Sequence, residues 1–193
     1  MPLPIVAIEP PDIAGVGEVD PESAVMASFV LPAMTATQKA KPDPWRGSPF
    51  APLRTLKPIP KSNTVREMLA MWFAHNGVVA TVKTIAGNAT LILPDKQLAM
   101  VKVSTLWSEG FYRFQQIKDW AYQVALLLGI SPQTIHLWII PREEIVTRSI
   151  PQHGVGSRML NVRPDTLPAW MSRYGGTLPQ ARTVLREAIG LAA

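Results

Sequence analysis

The sequence predicts an α/β domain, a mixed central sheet flanked by helices, with a proline-rich arm in front of it. Three observations predict this. From about residue 62 onward, β-branched or apolar runs alternate with segments of helical periodicity. Twelve of the nineteen prolines lie in residues 1–60. Charge is divided the same way: residues 1–50 hold six acids and three bases, residues 51–193 eight acids and sixteen bases.

The arm comes first. Each proline fixes φ and removes an amide donor, so residues 1–61 cannot sustain long helices or central strands. Only 21–30 has room for a short helix, with Pro21 in its first turn. The apolar stretch 24–32 follows the acids Glu18, Asp20 and Glu22, which is not the pattern of a signal peptide. No apolar run approaches the roughly 20 residues of a membrane span, so no membrane partner is expected. The domain is read as 62–193.

Its first element is a helix over 64–75. Thr64 and Glu67 are spaced as a capping box, and Val65, Met68, Leu69, Trp72 and Phe73 recur on one face. Asn76-Gly77 closes it, glycine suiting the left-handed cap position. Strands are expected over 78–84, 90–93 and 98–104, the last two joined by a turn through Pro94, Asp95, Lys96 and Gln97. The aromatic and polar segment 111–122 is expected to be helical. The continuous apolar run 124–128, closed by Gly129, and the run 136–140, ended by Pro141, read as strands buried on both faces. This order implies a mixed sheet and a right-handed crossover between its parallel strands. Beyond Ile150 the chain loosens, with a short helical piece over 167–174 stopped by Gly175-Gly176. A last helix opens on Thr177 and Gln180 as a second capping box, with Leu178, Ala181, Val184, Leu185 and Ala188 on one face.

Composition removes several chemistries. There is no cysteine, which excludes disulfides, zinc–thiolate sites, iron–sulfur clusters and cysteine nucleophiles, and fits a reducing cytoplasm. The net charge of +8 on residues 51–193 suits a polyanionic partner, most simply nucleic acid.

The informative block runs from Asn88 to Trp107 and includes Ala99-Met100-Val101-Lys102-Val103-Ser104-Thr105-Leu106-Trp107. After it come Arg113-Phe114-Gln115-Gln116-Ile117, then Leu128-Gly129-Ile130-Ser131-Pro132, Trp138-Ile139-Ile140-Pro141 and Gln152-His153-Gly154. Pro168-Ala169-Trp170 and Tyr174-Gly175-Gly176 complete the set. In this order the motifs resemble those of a restriction endonuclease-like family of the PD-(D/E)XK superfamily, over about residues 64–185. The resemblance implies a restriction endonuclease-like core. It also implies an aspartate on one strand and a Glu or Asp two residues before a strand lysine, together holding Mg²⁺. Carboxylate oxygens suit that hard cation, and the metal lowers the pKa of bound water.

Carried onto this chain, the lysine falls on Lys102, the acid before it on Met100, and the first aspartate near Thr90. Neither of the last two is acidic, so no metal ligand is assigned and no cofactor is expected. The resemblance places Lys102, Gln115, Gln116 and Glu67 at the catalytic face. Lys102, Ser104, Arg113, Lys118 and His153 are the candidate nucleic-acid contacts. Asp95 reads as a turn former, Glu109 and Asp119 as solvated surface, His75 and His136 as structural. Trp107, Phe111, Phe114 and Trp120 read as core.

Three functions follow. The first is a degenerate nuclease scaffold that binds DNA without cutting. The second is an active endonuclease with relocated carboxylates, Glu67 or Asp95, using Mg²⁺. The third is a structural or assembly protein of a phage or defence complex that docks on a protein partner through residues 1–61. Relatives of the resembled family commonly act as dimers, so a homodimer is a family-level expectation.

Overall fold

In chain order the elements are α1 (Ala51–Thr55), α2 (Pro58–His75), β1 (Thr81–Ile85), β2 (Asn88–Ile92), β3 (Leu98–Thr105), β4 (Tyr112–Lys118), β5 (Val124–Ile130) and β6 (Ile135–Pro141). Then come α3 (Arg142–Arg148), β7 (Ile150–Pro151), β8 (Ser157–Val162), α4 (Ala169–Ser172), β9 (Gly175–Thr177) and α5 (Leu178–Ala188). They are seen in a computed structural model that describes residues 43–152 and 156–188. Arm residues 1–42, with the helix expected over 21–30, and His153 lie outside the described residues.

Six strands form one mixed sheet in the order β1-β2-β3-β5-β6-β9. Its centre is the parallel pair β3–β5, in register from Ala99 opposite Val124 to Thr105 opposite Ile130. The remaining pairs are antiparallel. Alternation along β3 sends Val101 and Val103 to one face and Met100, Lys102 and Ser104 to the other. The first face packs under α2 and α5, where Val65, Leu69, Phe73, Val101, Leu126, Leu128, Ala181 and Leu185 are buried together. The second packs Met100, Ala125, Leu127, Trp138 and Ile140 against Phe114, Ile117, Leu160 and Val162.

The second cover corrects one expectation. Residues 112–118 form a strand, not a helix, and join β8 and β7 in a three-stranded sheet of order β4-β8-β7. The connection between the parallel strands β3 and β5 therefore runs through an extended segment. The register of β4 on β8 shifts between Phe114 and Ile117, and Gln116 takes the left-handed φ of 53°. This bulge leaves two residues, Gln115 and Gln116, exposed between the buried Phe114 and Ile117.

Helix α2 begins six residues earlier than its apolar pattern suggests. Pro58 and Pro60 sit in its first turn, where missing amide donors cost nothing, so both start the helix instead of barring it. Thr64 and Glu67 are consequently interior helix residues and form no capping box. The end is as expected: Asn76 Nδ2 donates to the Trp72 carbonyl at 2.7 Å, and Gly77 follows at φ 81°. The capping pair of α5 is present, Gln180 Oε1 accepting from the Thr177 amide at 2.9 Å. One compact unit of the chain starts at Pro44. Trp45 and Leu53 are buried in the helix-side core.

Gly129 lies on β5 beneath the ring of Tyr112. A Cβ there would stand 2.6 Å from Tyr112 Cε2, so the close packing of the two sheets requires its absence. Overpacking of this kind costs about 1–3 kcal/mol. Gly129→Ala is expected to lower unfolding stability by about that amount in a urea titration, without loss of the folded baseline.

Candidate nucleic-acid interface

A groove of about 600 Å³ opens between α2, the β1–β2 hairpin, β3 and β4. Lys102, Gln115, Gln116, Arg113 and Lys118, all singled out in the sequence, line it, together with Arg66. Among the described residues no carboxylate lines it.

Lys102 is half-buried on the face of β3 covered by the small sheet. Its Nζ donates to the Gln116 carbonyl at 2.5 Å. The left-handed conformation of Gln116 belongs to the bulge that presents this oxygen, so the break in β4 is what meets the lysine. The amide of Gln116 is held in turn, donating to Gln152 Oε1 at 2.8 Å. Burial, with a smaller contribution from the like charge of Lys118, pulls the Lys102 pKa down to about 8. The groove floor is thus an ammonium close to neutral pH in its titration, with one carbonyl partner and a cationic neighbour.

The other expected contacts divide. Ser104 is buried and accepts from the Arg113 amide at 2.9 Å, pinning β3 to β4, so its role is structural and it does not face the groove. Gln115 and Gln116 expose their side chains at the groove edge. Glu67 is exposed on α2 and does not line the groove. Asp95 occupies the turn between β2 and β3 at φ 56°, as a turn former. Trp107 is exposed, contrary to its reading as core, whereas Phe114 is fully buried as expected.

Two residues of the site were not singled out. Arg66 is buried at the groove wall and donates to the Lys83 carbonyl at 2.5 Å, to Thr84 Oγ1 at 2.9 Å and to Asn63 Oδ1 at 2.5 Å. It ties α2 to the β1–β2 hairpin. A lone arginine on a helix carries no sequence signal for this. Gln152 was visible only as part of the Gln152-His153-Gly154 motif.

Thr90 and Met100, the positions on which the resemblance would place metal ligands, are direct neighbours. Thr90 on β2 pairs with Met100 on β3, and both are fully buried. The Thr90 hydroxyl donates to the Asn88 carbonyl at 3.0 Å, and Met100 packs in the core between the sheets. A hydroxyl and a thioether supply neither the charge nor the hard oxygens that Mg²⁺ takes. Among the described residues no three His, Asp or Glu side chains gather as a metal site. These residues do not fit Mg²⁺.

No helix among the described residues is long and apolar enough to cross a membrane. No protein-family model and no curated protein gives a significant match to the chain.

The lowered pKa of Lys102 has a consequence for stability. The unfolded chain holds this proton up to about 10.5 and the folded chain only to about 8. The cost of burying the charge is therefore fully present below pH 8 and is relieved as pH rises toward 10.5. Stability measured by urea titration is expected to rise over that window relative to Lys102→Met, which keeps the stem without the charge. Parallel profiles for the two proteins would show that the ammonium is not desolvated.

Proposed function

We propose that the protein binds nucleic acid through the Lys102 groove, on a restriction endonuclease-like scaffold that does not cleave. The observation that carries this reading is the groove's composition. Arg66, Lys102, Arg113 and Lys118 line it, no carboxylate does so among the described residues, and the buried pair Thr90 and Met100 stands where such a scaffold would need its acids to be a Mg²⁺ enzyme. A phosphate needs only charge, reach and hydrogen-bond donors. Lys118 and Arg113 offer these at the groove wall, and Lys102 offers an ammonium at its floor, charged below pH 8.

The strand order supports the same reading in coarser form. A mixed sheet whose central strand carries a lysine toward an open groove is the arrangement expected of a restriction endonuclease-like core. The relocated-carboxylate alternative finds no support in the positions of Glu67 and Asp95, neither of which lines the groove.

The test is binding and cutting measured side by side, on supercoiled and linear DNA with and without Mg²⁺ or Mn²⁺. Binding is expected to fall with salt, each lost phosphate contact reducing the slope of log K against log salt by about 0.9 on duplex DNA. Lys118→Ala is expected to reduce the slope by about one contact and to leave the DNA uncut. Metal-dependent cleavage abolished by Lys102→Ala would overturn the non-cleaving part of the proposal. Salt-independent binding, or none, would overturn the rest.

A further inference from the structure

The loop joining β3 to β4 builds a second surface beside the groove. Gly110 donates its amide to the Trp107 carbonyl at 3.0 Å and takes a φ of 78°, closing a tight turn, and the Trp107 amide donates to the Phe111 carbonyl at 3.0 Å. The turn sets the two rings side by side, stacked with centroids 5.8 Å apart and planes 18° from parallel. Arg113 places its guanidinium carbon 4.3 Å from the Trp107 centroid and 5.1 Å from that of Phe111. Arg163 lies 5.8 Å from Phe111 and donates to the Glu109 carbonyl at 3.0 Å, bracing the loop from below.

Trp107 is nevertheless 42% exposed, the one exposed tryptophan of six. Its exposed surface lies beside the Phe111 ring and the Arg113 guanidinium, so aromatic and cationic groups are presented together. Next to the stack, Phe111, Arg113, Asn161, Arg163, Thr166 and Pro168 line an open pocket of about 420 Å³ with both polar and apolar surface. Asn161 Oδ1 accepts from Arg113 Nε at 3.3 Å, fixing the arginine at its rim. Arg113 also lines the Lys102 groove, so the two cavities share one wall.

We propose that this loop is the stacking site for an unpaired nucleobase. The base lies on the Trp107–Phe111 rings with its polar edge toward Asn161, Thr166 and Arg163, while its backbone phosphate crosses Arg113 into the Lys102 groove. Aromatic rings flanked by guanidinium groups take any base by its π face, and the polyanion supplies the complementary charge. A base inside a duplex is already stacked on both sides, so this surface selects single-stranded or frayed nucleic acid. The inference rests on the nucleic-acid reading of the groove and goes beyond it by naming the strand state that is bound.

The experiment compares fluorescence anisotropy of a labelled oligothymidine and of a duplex of equal length, for the wild type, Trp107→Ala and Trp107→Phe. Trp107→Ala is expected to weaken oligothymidine binding about tenfold or more, the usual size of one lost base stack, and to change duplex binding by less than about twofold. Trp107→Phe keeps a ring and is expected to recover most of the loss. If wild-type protein binds DNA but Trp107→Ala binds the oligothymidine normally, or weakens both forms equally, the stacking site is overturned and the groove reading stands. If the wild type binds neither form, both readings are overturned together. Circular dichroism of each variant establishes that a loss of binding is not a loss of fold.

Discussion

A strand pair buried on both faces needs two covers, and the rest of this structure is arranged around supplying them. β3 and β5 run parallel through the middle of the sheet, with Val101, Leu126 and Leu128 toward the helices and Met100, Ala125 and Leu127 toward the small sheet. Each of these side chains other than Ala125 contributes about 1.5–3 kcal/mol when fully buried, more than the net worth of a typical hydrogen bond at about 1 kcal/mol. Closing both faces therefore outweighs local preference, and β4 is drawn into an extended cover over the Met100 face. Lys102 is the point where that cover is interrupted. The strand cannot turn the lysine to the other face without turning Met100 and Ser104 as well.

The bulge in β4 reconciles the lysine with its surroundings. By carrying an extra residue between Phe114 and Ile117, the strand keeps both apolar side chains buried and frees the Gln116 carbonyl to accept from the ammonium. One carbonyl is a modest partner for a desolvated charge. With no carboxylate lining the groove among the described residues and Lys118 nearby, the ammonium is left under-compensated. Ser104, which the sequence presented as a contact, instead fastens the Arg113 amide and so positions the residue shared by both cavities.

Much of the central sheet was legible from residue order. The β-branched and apolar runs mark β2, β3, β5 and β6 to within a few residues, and Thr177 with Gln180 marks the start of α5. The failure at residues 111–122 has a definite cause. The buried positions of β4 are Tyr112, Phe114 and Ile117, a step of two followed by a step of three. The second step, produced by the bulge, imitates the spacing of a helix face. Prolines misled at α2 because their first-turn positions and their breaking positions look alike without the flanking geometry. The partnership of Thr90 and Met100 depends on cross-strand register, which a single sequence does not print. Lys102 was legible as a residue. Its setting was not, because the groove is assembled from α2, two hairpin strands and β4, and Arg66 enters it from a helix face that reads as ordinary surface.

The ends of the six-stranded sheet carry a different implication. One margin is β9, only three residues long and opening on two glycines; the other is β1, five residues with Lys83 at its centre. The Arg66 guanidinium sits on the Lys83 carbonyl and occupies an acceptor on that outermost strand. Short, charged and partly capped margins are poor templates for another extended chain, so these two strands of the large sheet give an added strand little to pair with. Among the described residues the large sheet thus offers its two faces more freely than its two margins.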